Sequence, residues 1–222
     1  MQLVNTIWAD TNSLAQGETG VRLLAEAADM MQKHYPGRQF TRATLAGRVM
    51  LKSLLPGISW TALITELAYL ENGKPFLPEH DLHFNISHSG NMVVLAYSTR
   101  PVGADLVDIR CPLHHPDLFM HPAEVNEMNE KTGDERKLYM AGIWARKEAI
   151  GKLSGEGWSP AFPKTDTTTA VFHGNKCVSM VPFGIGHHYH GVLAAYDRIR
   201  QVQMTAFRFN NSFTHQLKDY AV

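Results

Sequence analysis

The chain has 222 residues, of which 44% are apolar and 19% charged, enough hydrophobic material for a sizeable core and too little charge for a disordered segment. The 21 basic residues balance 21 acidic ones, and each half balances too, with 9 basic and 10 acidic residues over 1–110 and 12 and 11 over 111–222. This excludes a nucleic-acid binder that works through bulk positive charge, and the length fits one domain or two small ones.

Cys111 and Cys177 lack metal-type spacing and cannot build a disulfide framework, so a reduced, cytoplasmic compartment is the expectation. The first residues, Met1-Gln2-Leu3-Val4-Asn5, have no basic leader before a long apolar run. The longest apolar stretches reach only five or six residues. Neither a signal peptide nor a membrane helix is expected.

In chain order, Val21, Leu24, Ala28 and Met31 recur at helical spacing until Tyr35-Pro36-Gly37 stops them. A second helix opens near Thr41 and carries Leu45, Val49 and Leu54-Leu55 to Pro56-Gly57. Residues 67–70 read as a short strand entering the turn Glu71-Asn72-Gly73. Three strands follow at 82–86, 92–97 and 102–109. Pro122 marks a helix start, and a long helix covers 135–153. Beyond it, 167–172 and 177–181 read as a hairpin about His173-Gly174-Asn175, with further strands at 189–196 and 201–209. This order of strands, helices and strands recurs about residue 110. It predicts an α+β protein of two similar, closely packed subdomains, 1–110 and 111–222.

Four clusters carry chemistry. Gly73-Lys74-Pro75-Phe76 holds a lysine between a glycine turn and a stiff proline. Phe84-Asn85-Ile86-Ser87-His88-Ser89-Gly90 carries small polar groups and a histidine out of a strand. Val102-Gly103-Ala104-Asp105-Leu106-Val107-Asp108 sets an acid inside an apolar strand. In the fourth, residues 144–157, Trp144, Glu148 and Lys152 lie at i, i+4 and i+8 on one helix face, and Gly155 and Gly157 close the helix where backbone can approach a ligand. A carboxylate and an ammonium side by side above Asp105 suit Mg²⁺ and phosphate. Taken singly, each cluster has a plainer reading: a solvated ion pair, a strand-end aspartate, ordinary turn residues.

Together and in this order, the clusters resemble the 4′-phosphopantetheinyl transferases, in particular the longer, pseudo-dimeric type that activates carrier proteins of peptide, polyketide and fatty-acid synthesis. The family pattern G-K-P, F-N-x-S-H-S-G, V-G-x-D-x-E and W-x-x-K-E-A-x-x-K-x-x-G-x-G falls at 73–75, 84–90, 102–107 and 144–157. The resemblance implies transfer of 4′-phosphopantetheine from coenzyme A to a serine of an apo carrier protein, with release of 3′,5′-ADP. It implies Asp105 and Glu148 as Mg²⁺ ligands, with Glu148 also the base for the serine. Lys152 would neutralise the attacked phosphate. Lys74, Ser87, His88 and Arg48 would bind the coenzyme, with Arg42 an alternative to Arg48. The fused halves imply a monomer.

One departure stands out. The longer type carries a second acid two residues after the aspartate, and that position is Val107 here. Asp108, three residues on, points to the opposite strand face unless a bulge redirects it. The strand instead resembles that of the short, trimeric holo-acyl-carrier-protein synthases, which implies two protein ligands completed by water. The readings left beside active transfer are a degenerate paralogue that binds coenzyme A or carrier without turnover, and a Mg²⁺-dependent phosphohydrolase. His187-His188-Tyr189-His190 is expected to be an exposed strand face and not a zinc site. Glu124, after His121-Pro122, is expected to be a favourable first-turn charge.

Overall fold

A computed structural model describes residues 2–71 and 73–208 and the backbone of the short strand Lys218–Ala221. Asn72 and Phe209, parts of two expected elements, lie outside the described residues.

The first half opens with a strand that the expectations lack, β1 (Gln2–Asp10). Its Val4 enters one core while Ile7 and Ala9 enter another, so β1 is buried on both faces and reads as a mixed apolar run without clean alternation. Helices α1 (Thr11–Leu14), α2 (Glu18–His34), α3 (Arg42–Ser53) and α4 (Trp60–Glu66) follow. Thr41 and Ser59 cap α3 and α4 by accepting from the amides of Thr44 and Ala62. A two-residue ladder, β2 (Ala68–Tyr69) with β3 (Pro75–Phe76), brackets the turn before Lys74. The hairpin β4 (His83–Ser89) and β5 (Met92–Ser98) closes this half, β5 pairing antiparallel with β1.

The second half repeats that plan. β6 (Val102–Asp108) leads to α5 (Pro122–Asn129) and α6 (Gly133–Ser154). A short β7 (Val171–His173) precedes the hairpin β8 (Lys176–Ile185) and β9 (Tyr189–Ala195), and β9 pairs antiparallel with β6. In each half the opening strand thus pairs with the last strand of a later hairpin. The expected strand at 167–172 is confined to β7, and 167–170 are not strand.

The two sheets do not divide the chain at residue 110. β6 belongs to the second sheet, β6-β9-β8-β7, while β10 (Ile199–Ala206) and β11 (Lys218–Ala221) complete the first, β11-β10-β1-β5-β4. Met92, Val94 and Ala96 of one sheet and Ala104, Leu106 and Leu193 of the other share a core between them. α2–α4 cover the outer face of the first sheet, and α6 covers that of the second. The result is an α+β stack of helices, sheet, sheet and helix.

Close approach is written into two glycines. A Cβ on Gly103 would stand 2.1 Å from the Ala149 carbonyl oxygen, and one on Gly151 would stand 2.2 Å from that of Gly157. The first lets α6 lie directly on β6; the second lets the loop after α6 fold back on it. Among the described residues no helix is long and apolar enough to cross a membrane.

Candidate active site

The third and fourth clusters meet because α6 runs over β6. Asp105, on the β6 face turned to α6, is 4% exposed. Its Oδ1 accepts a hydrogen bond from Lys152 Nζ at 2.5 Å and another from Ser87 Oγ at 2.8 Å. Lys152 Nζ also donates to Ser87 Oγ at 2.9 Å. Asp105, Ser87 and Lys152 therefore form a closed triangle of charge-assisted bonds joining β6, β4 and α6. The other carboxylate oxygen, Asp105 Oδ2, is buried without a hydrogen-bond partner among the described residues. An orphaned acceptor of that kind costs about 1–3 kcal/mol and marks a place for a ligand.

Glu148 lies one turn before Lys152 on α6. Burial raises its pKa above the usual carboxylate range, Asp105's negative charge raises it further, and Lys152 partly offsets both. A carboxylate with an orphaned buried oxygen beside a second, half-buried one makes a place where a cation is welcome. No group of three or more His, Cys, Asp or Glu side chains among the described residues is arranged to hold a metal, so this chain offers two carboxylates there and not three.

Val107, the position of the missing acid, packs with Ala141, Ala145 and Ala149 under α6. The β6–β9 register runs without a shift from Val102 to Asp108, so no bulge redirects Asp108. Its carboxylate accepts from Arg110 Nε at 2.8 Å and from an Arg110 guanidinium nitrogen at 2.6 Å, which holds its pKa below the ordinary value. Asp108 is bound on the far face of the strand from Asp105.

The remaining expected residues are dispersed. Lys74 Nζ donates to the carbonyls of Leu153 at 2.9 Å and Val102 at 3.1 Å, at the C-terminal end of α6 and the start of β6. Burial lowers its pKa to about 8. Cations suit that end of a helix, where carbonyls lack intrahelical donors, so the geometry gives Lys74 a place in joining helix to strand. His88 points to the other side of β4 from Ser87 and lines a cavity of about 320 Å³ with Arg42, Thr41, Thr11 and Asn91. Arg42, not Arg48, is therefore the arginine placed beside His88. Arg48 stands near Tyr35, whose pKa the hydrogen bond to Tyr69 and burial raise against the opposing charge of Arg48, and it carries one buried guanidinium nitrogen with no partner among the described residues.

Three residues escaped the sequence-based reading of the site. Lys147 is 1% exposed beside half-buried Glu148, and it pairs at 2.7 Å with Glu124, which is fully buried. It also donates to the carbonyls of Phe162 at 2.6 Å and Thr165 at 2.7 Å. Glu124 is the expected first-turn acid, bonded to the His121 amide at 2.7 Å, and it accepts in addition from the amide and hydroxyl of Thr167. The other two are Asn85 and Ser89. They flank Ser87 on β4 and accept the β6 amides of Ala104 at 3.0 Å and Asp108 at 2.9 Å. Their signal was in the sequence: polar residues at 85, 87 and 89 alternate through a buried strand, which implies that the face they share meets polar backbone. Trp144, sharing the helix face of Glu148, packs edge-on to Phe119 with ring centroids 5.1 Å apart.

Comparison with known proteins adds to this geometry. The profile of the 4′-phosphopantetheinyl transferase superfamily matches residues 101–194, the stretch that holds Asp105, Glu148 and Lys152. A 4′-phosphopantetheinyl transferase of Bacillus subtilis is 28% identical over 153 residues, 66% of this chain and 67% of that protein. The 4′-phosphopantetheinyl transferase Sfp of Bacillus subtilis strain 168 is 36% identical over 91 residues, 40% of this chain and 41% of its own length. The 4′-phosphopantetheinyl transferase AcpT of Escherichia coli K12 is 36% identical over 116 residues, half of this chain and 56% of that one. The chain thus spans between about two fifths and two thirds of the length of these relatives.

Proposed function

We propose that this chain is a 4′-phosphopantetheinyl transferase, as the superfamily profile over residues 101–194 and the similar transferases support, and that it moves 4′-phosphopantetheine from coenzyme A to a serine hydroxyl of an apo carrier protein. The observation that carries the reading is the Asp105–Ser87–Lys152 triangle with Glu148 beside it. Those residue types stand on three neighbouring elements, β4, β6 and α6, where the family pattern has them.

The reaction breaks the bond between the β-phosphorus of the coenzyme's pyrophosphate and its bridging oxygen. A new bond joins that phosphorus to the serine oxygen, and 3′,5′-ADP leaves. Catalysis of this kind is positioning and charge neutralisation. Glu148 accepts the serine proton, directly or through one water, and its raised pKa favours that role. Lys152 turns its ammonium from Asp105 toward the phosphoryl oxygens as their charge grows, a short displacement for a long, flexible side chain. Ser87 holds the Asp105 carboxylate in place by its 2.8 Å bond. His88 and Arg42 supply cationic and hydrogen-bonding groups for phosphate on the other side of β4.

The residues also fit a divalent cation. Asp105 Oδ2 is an orphaned buried oxygen, and Glu148 is a second hard donor, its ionisation opposed first by burial and then by the charge of Asp105. Asp105 and Glu148 would hold Mg²⁺, which when bound supplies charge neutralisation on the pyrophosphate. Val107 brings no third carboxylate, so the site is a two-carboxylate one within a long, fused chain.

An acidic carrier has a suitable surface in the cleft lined by Arg110, Arg136, Lys137, Leu113 and Met140, where cations border apolar side chains. The test of the reading is intact-mass spectrometry of several apo carrier proteins incubated with coenzyme A, Mg²⁺ and this chain. A gain of one phosphopantetheine is the expected result. Carriers that all stay apo, while a known transferase converts them, overturn it.

A further inference from the structure

β6 has a hydrogen-bonded neighbour on one side only, β9. An open strand edge buried between two sheets leaves amides that must find acceptors. Among the described residues no strand supplies them. The amides of Ala104, Leu106 and Asp108 donate instead to Asn85 Oδ1, Ser87 Oγ and Ser89 Oγ, at 3.0, 3.3 and 2.9 Å. Both strands repeat every two residues, so three side chains at 85, 87 and 89 match three amides at 104, 106 and 108. β4 thereby acts as a side-chain ladder that fixes the height of β6 against the first sheet.

Only the middle rung touches the site. Ser87 bonds Asp105 and Lys152 directly, whereas Asn85 and Ser89 bond the backbone one residue before Asp105 and three after it. From the α6 side, the bare Gly103 backbone rests on the carbonyl of Ala149. The ladder thus sets where Asp105 stands relative to Lys152 and Glu148, because α6 is held to β6 and β6 to β4.

Resting on the transferase reading above, we propose that Asn85 and Ser89 are positioning residues for the phosphoryl transfer. They touch neither coenzyme nor metal; they hold β6 so that the Asp105 carboxylate meets Ser87 and Lys152 and lies beside Glu148. Outer partners of a ligand set commonly change affinity or rate by about 10- to 100-fold when removed, and loss of either rung is expected to act on that scale.

The experiment compares wild type with Asn85→Ala, Ser89→Ala and Ser89→Thr, the last retaining the acceptor oxygen. Mn²⁺ binding to the full chain is followed by electron paramagnetic resonance, and transfer by intact mass with separate kcat and KM for the carrier. Both alanine variants should weaken Mn²⁺ binding and lower kcat by about tenfold or more, with KM for the carrier unchanged. Ser89→Thr should stay close to wild type in both. Alanine variants that melt earlier yet keep wild-type Mn²⁺ affinity and kcat would overturn the proposal, reducing the ladder to a fold element. Ser89→Thr failing as badly as Ser89→Ala would overturn it as well. If Asn85→Ala does not fold, the half-buried Ser89 pair of variants carries the decision. A wild-type chain that modifies no carrier refutes the transferase reading alone, since the Mn²⁺ measurement still decides whether the ladder positions Asp105.

Discussion

Replacing Lys147 with methionine should separate two adjacent residues of α6 that look equivalent in sequence. Lys147 places three donors on three oxygens, those of Glu124, Phe162 and Thr165, at 2.6–2.7 Å. Methionine keeps the volume and removes the charge. Glu124 keeps its bonds from the His121 amide and from Thr167 but becomes an uncompensated charge with no exposure to water, and two carbonyls lose their donor. Breaking a buried pair from one side costs about 3–5 kcal/mol, a large part of the ~5–15 kcal/mol that holds a typical protein folded. In a chain of this size that is a fall in Tm of about 6–20 °C. Urea titration followed by circular dichroism reads the loss. The double variant Lys147→Met with Glu124→Leu should recover most of it, because a fully apolar replacement of a buried pair is often neutral or stabilising. A single variant that loses less than about 1 kcal/mol would refute the reasoning, since only solvent-exposed pairs behave that way.

Glu148→Gln should do the reverse, abolishing transfer in the mass assay without destabilising the chain. Its carboxyl is raised in the folded state, so ionisation works against folding once the pH passes the ordinary value of 4.5. The variant should equal wild type at acid pH and match or exceed it at neutral pH, and unfolding of the variant would show that Glu148 holds structure. Val107→Glu places a carboxylate on the Asp105 face of β6 among the alanines of α6. It should tighten Mn²⁺ binding while lowering Tm, and an unchanged metal requirement would count against the two-carboxylate site. Lys74 has a pKa lowered to about 8 from 10.5, so between those values the unfolded chain binds more protons than the folded one. The stability of wild type relative to Lys74→Met should therefore rise from pH 8 toward 10.5, and a difference independent of pH would show that the ammonium is not buried.

The long amphipathic or punctuated elements were legible from residues alone. α2 stops at the Tyr35-Pro36-Gly37 turn, α3 starts after its Thr41 cap, and α6 ends at Gly155 in the left-handed region, with φ 83°. β1 and α4 were not legible. β1 is apolar on both faces because each face meets a different core, which erases the alternation that betrays a strand. α4 has only 7 residues, too few for its period to show. In the site, Asp105, Glu148 and Lys152 could be named because helix spacing places the last two on one face. Long-range arrangement decided the rest. Lys74 ends on the carbonyls of residues 28 and 79 positions away, and which of Arg42 and Arg48, about 120° apart around α3, meets His88 is set by how α3 packs on the sheet. Asp108 followed the rule of alternation, and Arg110 two residues on closes its carboxylate.

The parallel pairing of β1 with β10 also governs how the chain is made. Gln2 registers with Ile199 and Trp8 with Ala206, so β1 waits for the much later β10 before its second edge is covered. Closing so long a loop is entropically expensive and slow. Until then the nascent first half can pair β1 with β5 yet exposes an unpaired β1 edge whose Val4 side awaits Ile199, Val202 and Met204. A chain interrupted anywhere before residue 199 would display that edge permanently and recruit other strands to it. The late strand is therefore the closing seal of the early sheet, and the stability of that sheet rests on both halves of the chain at once.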